Sequence, residues 1–527
     1  MFWLLLLVGA LDGIASFSVP ILLAEITKAP ISSGTLSRVL PVITACLALS
    51  LFFQWSLRSW GECLTGWLGN DLRLKLFARS ERLSIDTLSK YHSGYLASLI
   101  NQVASSVGAM SSSMVWLLGH MFTTLSLFVY FTARESVTMA VVNLAILMVF
   151  VTISVRLSRK IVPLADDKNV TQARVMERFI DLLTNISTVK KLGVIEWANR
   201  SLRKESIVSD ASIARFQRFH ANRWCLLHGI FYTSLLSTIA FLLSQIEHGA
   251  VSASILVLFI AGFARVQNQA ERLSELIKGL LETNAYVGTL EGILAEQSPF
   301  GEQGVPSLRA IACDGVIHRH SNSLYDISVP TFSLMAGERV LISGKSGQGK
   351  STFLSLLSRQ RLPSAGTLTW NGTSYSAFNE SLSHSFALVS QEAELFNLSL
   401  RENLSMDATV SEEEILRLLH ELGLSDLLAS LPEGLETKVG EKGLRLSAGQ
   451  KQRITLARGL LLRRVVLLLD EPTSHLDKGS EEAVVRVLSQ VPKETTIVIV
   501  SHKGELRSLC SREYVFDDGV MREAIFG

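Results

Sequence analysis

Cysteine is scarce in this chain, and charge of neither sign accumulates. Five cysteines (Cys46, Cys63, Cys225, Cys313 and Cys510) are scattered over 527 residues without a C-x-x-C pair. The odd count and irregular spacing speak against a disulfide framework and a zinc site, and leave isolated reduced thiols. Charged residues make up only 19% and the formal net charge is +2, so charge gives no argument for nucleic acid or another polyanionic partner. The N-terminal "MFWLLLLVGALDGIASFSVPILLAEI" has no basic n-region, and its apolar stretch runs past Asp12 for most of a membrane thickness. It therefore reads as a retained first span rather than a cleaved signal peptide. What the chain has in plenty is apolar side chain: 48% hydrophobic, with a mean hydropathy of +0.32. That is more than an ordinary soluble protein carries.

The apolar residues fall into stretches near 2–25, 39–57, 111–131, 136–155, 225–244 and 249–266. Each approaches the ~20 residues that carry a helix across a bilayer, so six spans are expected. Lys and Arg concentrate in the long segments 58–110 and 156–224, whereas the short connections hold only Lys28, Arg38 and Arg134. The positive-inside rule puts the long segments, and with them both termini, in the cytoplasm. "GWLGNDLRLKLFARSERL" and "ERFIDLLTNISTVKKLGV" keep apolar residues at helical spacing, so the spans are expected to continue as helices into the cytoplasm. Residues 267–296 extend the sixth span as an amphipathic helix, and "SPFGEQGVPS" breaks it.

From about residue 306 the grammar changes to short strands alternating with helices. "RVLISG", "SFALVS", "RVVLLLD" and "TTIVIVSH" read as buried parallel strands with chemistry at their carboxyl ends. "GKSGQGKS", Gly344 to Ser351, fits G-x-x-x-x-G-K-[ST] between a strand and a helix. The loop Gly344, Lys345, Ser346, Gly347, Gln348, Gly349, Lys350, Ser351 and Thr352 would wrap phosphates with backbone N–H groups. Lys350 would reach the β- and γ-phosphates, and Ser351 would ligate magnesium. Asp470 ends a hydrophobic strand and is suited to holding magnesium, and Glu471 beside it is suited to polarising a water. Gln391 and His502 close two further strands. With the loop they fit two sensors, one for magnesium or water and one for the terminal phosphate. Ser447, Ala448 and Gly449 form a small-residue cluster before a basic helix, which looks like a second anion cradle about a hundred residues downstream.

The order of the phosphate loop, "SQEAELFNLSLREN", "VGEKGLRLSAGQKQR", "LLLDEPTSHLD" and "VSH" resembles the ATPase domain of ABC transporters. Six spans before it resemble an exporter-type half-transporter over almost the whole chain. "HSGYLASLINQVASSV" and "TNISTVKKLGVIE" are more loosely similar to its two intracellular helical hairpins. The resemblance implies a multidomain membrane protein. An all-α six-helix transmembrane domain with long cytoplasmic extensions occupies 1–296, and a linker follows at 297–305. An α/β P-loop ATPase domain with a helical subdomain fills 306–527. It also implies ATP and Mg2+ as ligands, a second half-transporter chain as partner, a lipid bilayer, a transported substrate and no nucleic acid. Two ATPase domains pack head to tail in that family. Ser447, Ala448, Gly449 and Gln450 would then close on the phosphate bound at Gly344–Thr352 of the opposing chain. That is why one domain carries two cradles. Phe396, beyond Gln391, would transmit closure to the membrane helices, or else be core.

The chain departs from the family pattern in three places. Ala448 replaces a glycine of the signature, which is tolerable where the local φ is negative. The aromatic residue that stacks on adenine is replaced near "VIHRH", so His320 is the expected equivalent, ahead of Tyr325. The ends are shorter than usual: the start lacks the elbow helix that often precedes span one, and the chain stops at "VFDDGVMREAIFG". The set Lys350, Gln391, Asp470, Glu471 and His502 is intact, which favours a homodimer with two working sites. Asp12, His120, Asn143 and His228 stand at membrane depth, where polar groups face a bundle interior or cavity. Asp12 is a candidate substrate contact or a helix-to-helix pair, and Gln267, Asn268 and Gln269 are candidates for the inner mouth. The expected activity is export or flipping of a lipid, peptide or amphipathic molecule, by default in a bacterial inner membrane. An importer on the exporter fold or an ATP-gated channel is the alternative, which flux direction and substrate-stimulated hydrolysis separate.

Overall fold

The computed structural model describes residues 2–26, 33–91, 93–248, 254–296, 301–319, 326–406, 409–440 and 446–524. It divides into two units: Met1–Leu83 with Thr87–Glu296, and Ser84–Asp86 with Gln297–Gly527.

The helical part of the chain runs α1 (Phe2–Ile26), α2 (Ser33–Ser80), α3 (Ile85–Tyr91), α4 (Ser93–Glu135), α5 (Val137–Thr184), α6 (Ile186–Lys191), α7 (Ile195–Glu247) and α8 (Ser254–Leu294). At ~1.5 Å rise per residue, the 48 residues of α2 or α5 reach about 72 Å, over twice the hydrocarbon thickness of a bilayer. The extension of the spans beyond the membrane is thus present in the helices themselves. Among the described residues five helices are long and apolar enough to cross a membrane: α1, α2, α4, α5 and α7. The sixth expected stretch begins at 249–253, outside the described residues, and α8 turns polar from Gln267 onward.

A cluster of phenylalanines, among them Phe17, Phe128, Phe150, Phe231, Phe259 and Phe263, forms a core between these helices. Phe150 and Phe231 meet edge to face at 4.6 Å. Helices α1 and α4 approach closely: a Cβ on Gly119 would stand 2.5 Å from the Leu6 carbonyl oxygen, so only glycine fits there. Asp12 is fully buried, accepts a hydrogen bond from Ser50 at 2.5 Å and lies 3.1 Å from His120 Nδ1. Its partners are on α2 and α4, which is the helix-to-helix alternative. His228 stacks on Trp224 at 3.8 Å, and the Asn143 amide donates to the Met139 carbonyl. Of the three inner-mouth residues, Gln269 is buried and Asn268 lines a cavity of about 670 Å³ between α4 and α8.

The second unit holds one sheet. Its strands are β1 (Ala310–His318), β2 (Ile327–Met335), β3 (Arg339–Gly344), β4 (Ala365–Trp370), β5 (Thr373–Ser374), β6 (Phe386–Val389), β7 (Val466–Asp470), β8 (Thr496–Val500), β9 (Arg512–Asp517) and β10 (Val520–Ala524). The order is β5-β4-β1-β2-β10-β9-β3-β8-β7-β6. Strands β9, β3, β8, β7 and β6 pair in parallel, while β1 pairs antiparallel with β2 and β4. Every residue of β7 and β8 is buried, as a strand covered on both faces requires. Helices α9 (Lys350–Leu357), α10 (Leu400–Ser405), α11 (Glu412–Glu421), α12 (Ser425–Ser430), α13 (Ala448–Leu461), α14 (Lys478–Gln490) and α15 (Gly504–Arg507) complete the unit. Between β6 and β7 come α10 to α13, a run of helices within the α/β unit.

Candidate functional site

The site begins where β3 turns into α9. Gly344 and Gly349 hold φ of 137° and 103°, a region that side chains rarely enter. A Cβ on Gly344 would come 2.5 Å from the Phe516 carbonyl oxygen, and one on Gly349 would come 2.6 Å from the Ile327 side chain. The loop closes on itself only because both are glycine. Helix α9 starts without a side-chain cap, whereas Ser399, Ser411, Ser447 and Asp477 cap α10, α11, α13 and α14. Its first N–H groups are therefore open to an anion, with the helix dipole behind them.

Lys350 is buried, and its ammonium donates to the Gly344 and Lys345 carbonyls at 2.6 and 2.8 Å. It also lies 3.1 Å from His502 Nε2. Burial pulls the Lys350 pKa below the ordinary lysine value, against the pull of the Glu471 and Asp470 charges. Asp470 is raised from the usual carboxylate range by burial, and a hydrogen bond from Ser351 and the Lys350 charge work the other way. Glu471 Oε1 is 3.3 Å from His502 Nε2.

These groups share one cavity of about 590 Å³. Ser346 to Thr352, Gln391, Asp470, Glu471 and His502 line it, together with Ile327, Ser474 and Gly519. Gly344 and Lys345 hold the Lys350 ammonium through their carbonyls. Gln348 reaches back to accept from the Gly519 N–H at 2.9 Å, fixing the loop to the β9–β10 turn. Four residues singled out in the sequence lie apart from this cavity. Ser447, Ala448, Gly449 and Gln450 open α13, and there Ser447 and Gln450 form a capping box: the hydroxyl accepts from the Gln450 N–H and the Gln450 side chain from the Ser447 N–H. The S-x-x-Q spacing signals that motif directly. His320 and Tyr325 lie outside the described residues. Phe396 is 57% exposed with the Arg458 guanidinium over its ring, so it is not core.

The arrangement fits a nucleoside triphosphate: an N–H cradle of glycine geometry, a lysine behind it, and two carboxylates and a histidine facing it. For a divalent cation it offers hard oxygen donors, the Ser351 hydroxyl, the Gln391 amide and the Asp470 carboxylate. Among the described residues no cluster of three or more His, Cys, Asp or Glu could hold a metal by itself. Such a donor set suits a magnesium ion, which would take its remaining ligands from substrate phosphates and water.

A membrane-helix unit joined to such a phosphate-binding α/β unit defines an ATP-powered membrane protein. Family models match at residues 2–269, described as the ABC transporter transmembrane region, and at 327–474, described as ABC transporter. The chain belongs to the ABC transporter family: it is a multi-pass membrane protein whose nucleotide-binding domain drives transport. A probable ABC transporter ATP-binding/permease protein of Haemophilus influenzae is 28% identical over 510 residues, covering 93% of this chain and 89% of that one. An ATP-dependent lipid A-core flippase of Chromobacterium violaceum is 29% identical, over 67% of this chain and 57% of its own length. In fold, the chain matches a bacterial Atm1-family ABC exporter solved with ATP bound. The TM-score is 0.88 at 20% identity, over 99% of this chain and 93% of that one.

Proposed function

We propose that two identical chains form an exporter that hydrolyses two ATP molecules at a head-to-tail interface and moves an amphipathic substrate out of the cytoplasmic leaflet. The observation that carries the reading is the convergence of the phosphate loop, Gln391, Asp470, Glu471 and His502 on one cavity. The loop N–H groups and Lys350 bind the phosphates. Ser351, Gln391 and Asp470 would hold Mg2+, which would offset charge on the leaving phosphates when bound. Glu471 accepts a proton from the attacking water, and His502, near both Glu471 and Lys350, donates to the terminal phosphate oxygen. Ser447, Ala448, Gly449 and Gln450 of each chain close the partner's site. The Ser447–Gln450 box holds the first turn of α13 in shape, with the positive end of the helix dipole at that turn.

Six spans put both termini in the cytoplasm of a bacterial inner membrane, with the domain boundary at 297–305. The similarity to the lipid A-core flippase of Chromobacterium violaceum supports an amphipathic lipid-like substrate. The test is Mg2+-dependent phosphate release by the purified chain in lipid nanodiscs, beside Glu471→Gln. Hydrolysis by the wild type that the substitution abolishes supports a self-sufficient homodimer. ATP binding without hydrolysis would point instead to a missing partner chain, or to a site disabled by the Ala448 and His320 departures. Flux into inside-out vesicles, driven by ATP added outside, fixes the direction as export.

A further inference from the structure

Glu471 sits at φ 51°, a left-handed backbone that non-glycine residues seldom adopt, and it precedes Pro472. A residue before proline is driven toward extended backbone, so this conformation persists only where its surroundings over-determine it. On one side the Glu471 N–H donates to the Val500 carbonyl at 2.9 Å, which anchors it to the sheet. On the other, the Glu471 carbonyl accepts from the Ser474 N–H at 3.2 Å and from the Gln452 side-chain amide at 2.6 Å.

Gln452 is 2% exposed, and its side-chain hydrogen bonds go to this segment. Nε2 donates to the Glu471 carbonyl and, at 3.2 Å, to the Ser474 hydroxyl, while Oε1 accepts from the His475 N–H at 3.2 Å. Gln452 stands on α13, the helix whose first turn is Ser447 to Gln450. That turn also presses on the same segment: a Cβ on Gly449 would be 3.0 Å from the His475 carbonyl oxygen. One buried amide therefore clamps the strained 471–475 turn to the helix that bears the second cradle.

We infer that Gln452 is a positioning residue for ATP hydrolysis, holding the Glu471 backbone in the left-handed conformation that points its carboxylate into the nucleotide cavity. The inference rests on the role proposed above for Glu471. Gln452 is not among the residues lining the nucleotide cavity, and its side-chain hydrogen bonds go to Glu471, Ser474 and His475. Loss of its amide should therefore lower kcat and leave nucleotide affinity in place, a split that simple destabilisation of the domain does not give.

The experiment uses the full chain in nanodiscs as wild type, Gln452→Met, Gln452→Glu and Glu471→Gln, with kcat and KM for MgATP and the Kd of a trinitrophenyl-ATP probe. Methionine keeps the volume and removes both polar ends. Glutamate keeps the shape and sets an acceptor against the Glu471 carbonyl. Both should lose about 10- to 100-fold in kcat, as the loss of one buried hydrogen bond at a reacting group implies, with KM and probe Kd within about twofold of wild type. A kcat within about twofold of wild type in both overturns the inference, and so does probe binding lost in step with kcat in the isosteric Gln452→Glu. Should Gln452→Met fail to fold, Gln452→Glu decides alone. Failure of the underlying reading shows separately: Glu471→Gln then hydrolyses ATP as fast as wild type, or the wild type not at all, and either result removes the basis for positioning.

Discussion

At the residue scale, the two small positions of the signature turn differ in the room they leave for a side chain. Ala448 is the first residue of α13 and is not among the positive-φ residues, so its methyl group costs no backbone strain. The neighbouring Gly449 has no such room, with the His475 carbonyl at 3.0 Å and the Leu476 side chain at 3.2 Å from a built Cβ. Ala448→Gly should leave ATP hydrolysis within about twofold of wild type, whereas Gly449→Val should cost tenfold or more by displacing the 471–475 turn, a change of roughly 1.4 kcal/mol or above. Asp470 gives a prediction in pH. Burial raises its folded pKa above the ordinary 3.8, so the protonated form favours folding and that contribution is lost as pH rises through the folded value. In nucleotide-free protein at neutral pH the ionised carboxylate is then a cost that magnesium relieves. Asp470→Asn should raise the unfolding temperature of the metal-free chain at pH 7 while abolishing hydrolysis. Its stability gain should shrink as the pH falls toward 3.8, read by scanning fluorimetry across a pH series.

At the element scale, the legible features were those written contiguously. Strand-end residues such as Asp470 and His502 could be read because an apolar run leads straight into them, and parallel strands place chemistry at their carboxyl ends. The glycine loop was legible because its φ requirements leave few other residues possible. Contacts across the sequence were not: the Gln452 amide meets Glu471 from 19 residues away, and nothing local in "GQKQR" singles out its second glutamine. The 391–403 loop is a similar case. Phe396 drew attention as an apolar residue, yet the organiser is Asn403, fully buried, which donates to the Phe396 and Ser399 carbonyls and accepts from the Phe396 N–H and from Arg458 Nη2. Arg458 Nε in turn donates to the Asn403 carbonyl at 2.7 Å. Asn403→Ala leaves Arg458 Nη2 and the Phe396 and Ser399 groups that the amide serves without that partner, which should cost about 2–3 kcal/mol. The expected observations are a lower denaturation midpoint and faster tryptic cleavage at Arg401, with Phe396→Ala changing neither, since that ring is largely in solvent.

At the scale of the whole molecule, the two cradles decide what the functional unit is. The cavity that gathers the phosphate loop and its carboxylates includes no atom of the Ser447–Gln450 turn, whose serine is exposed. A chain acting alone would leave that exposed helix N-terminus without a ligand. If the turn belongs to the partner's nucleotide, defects in the two cradles must complement between chains. Lys350→Ala disables the phosphate loop, and Ser447→Arg blocks the signature turn, so each homodimer should be inactive. In a mixed dimer one site carries both defects and the other carries neither. Equal mixing before reconstitution should therefore return about a quarter of the wild-type rate, because half of randomly paired twofold dimers are mixed and each holds one intact site. Were both cradles to serve the same chain's nucleotide, every site in the mixture would carry one defect and no activity would return. The measurement separates a site completed in trans from one completed in cis without knowing the substrate, and so can precede any search for it.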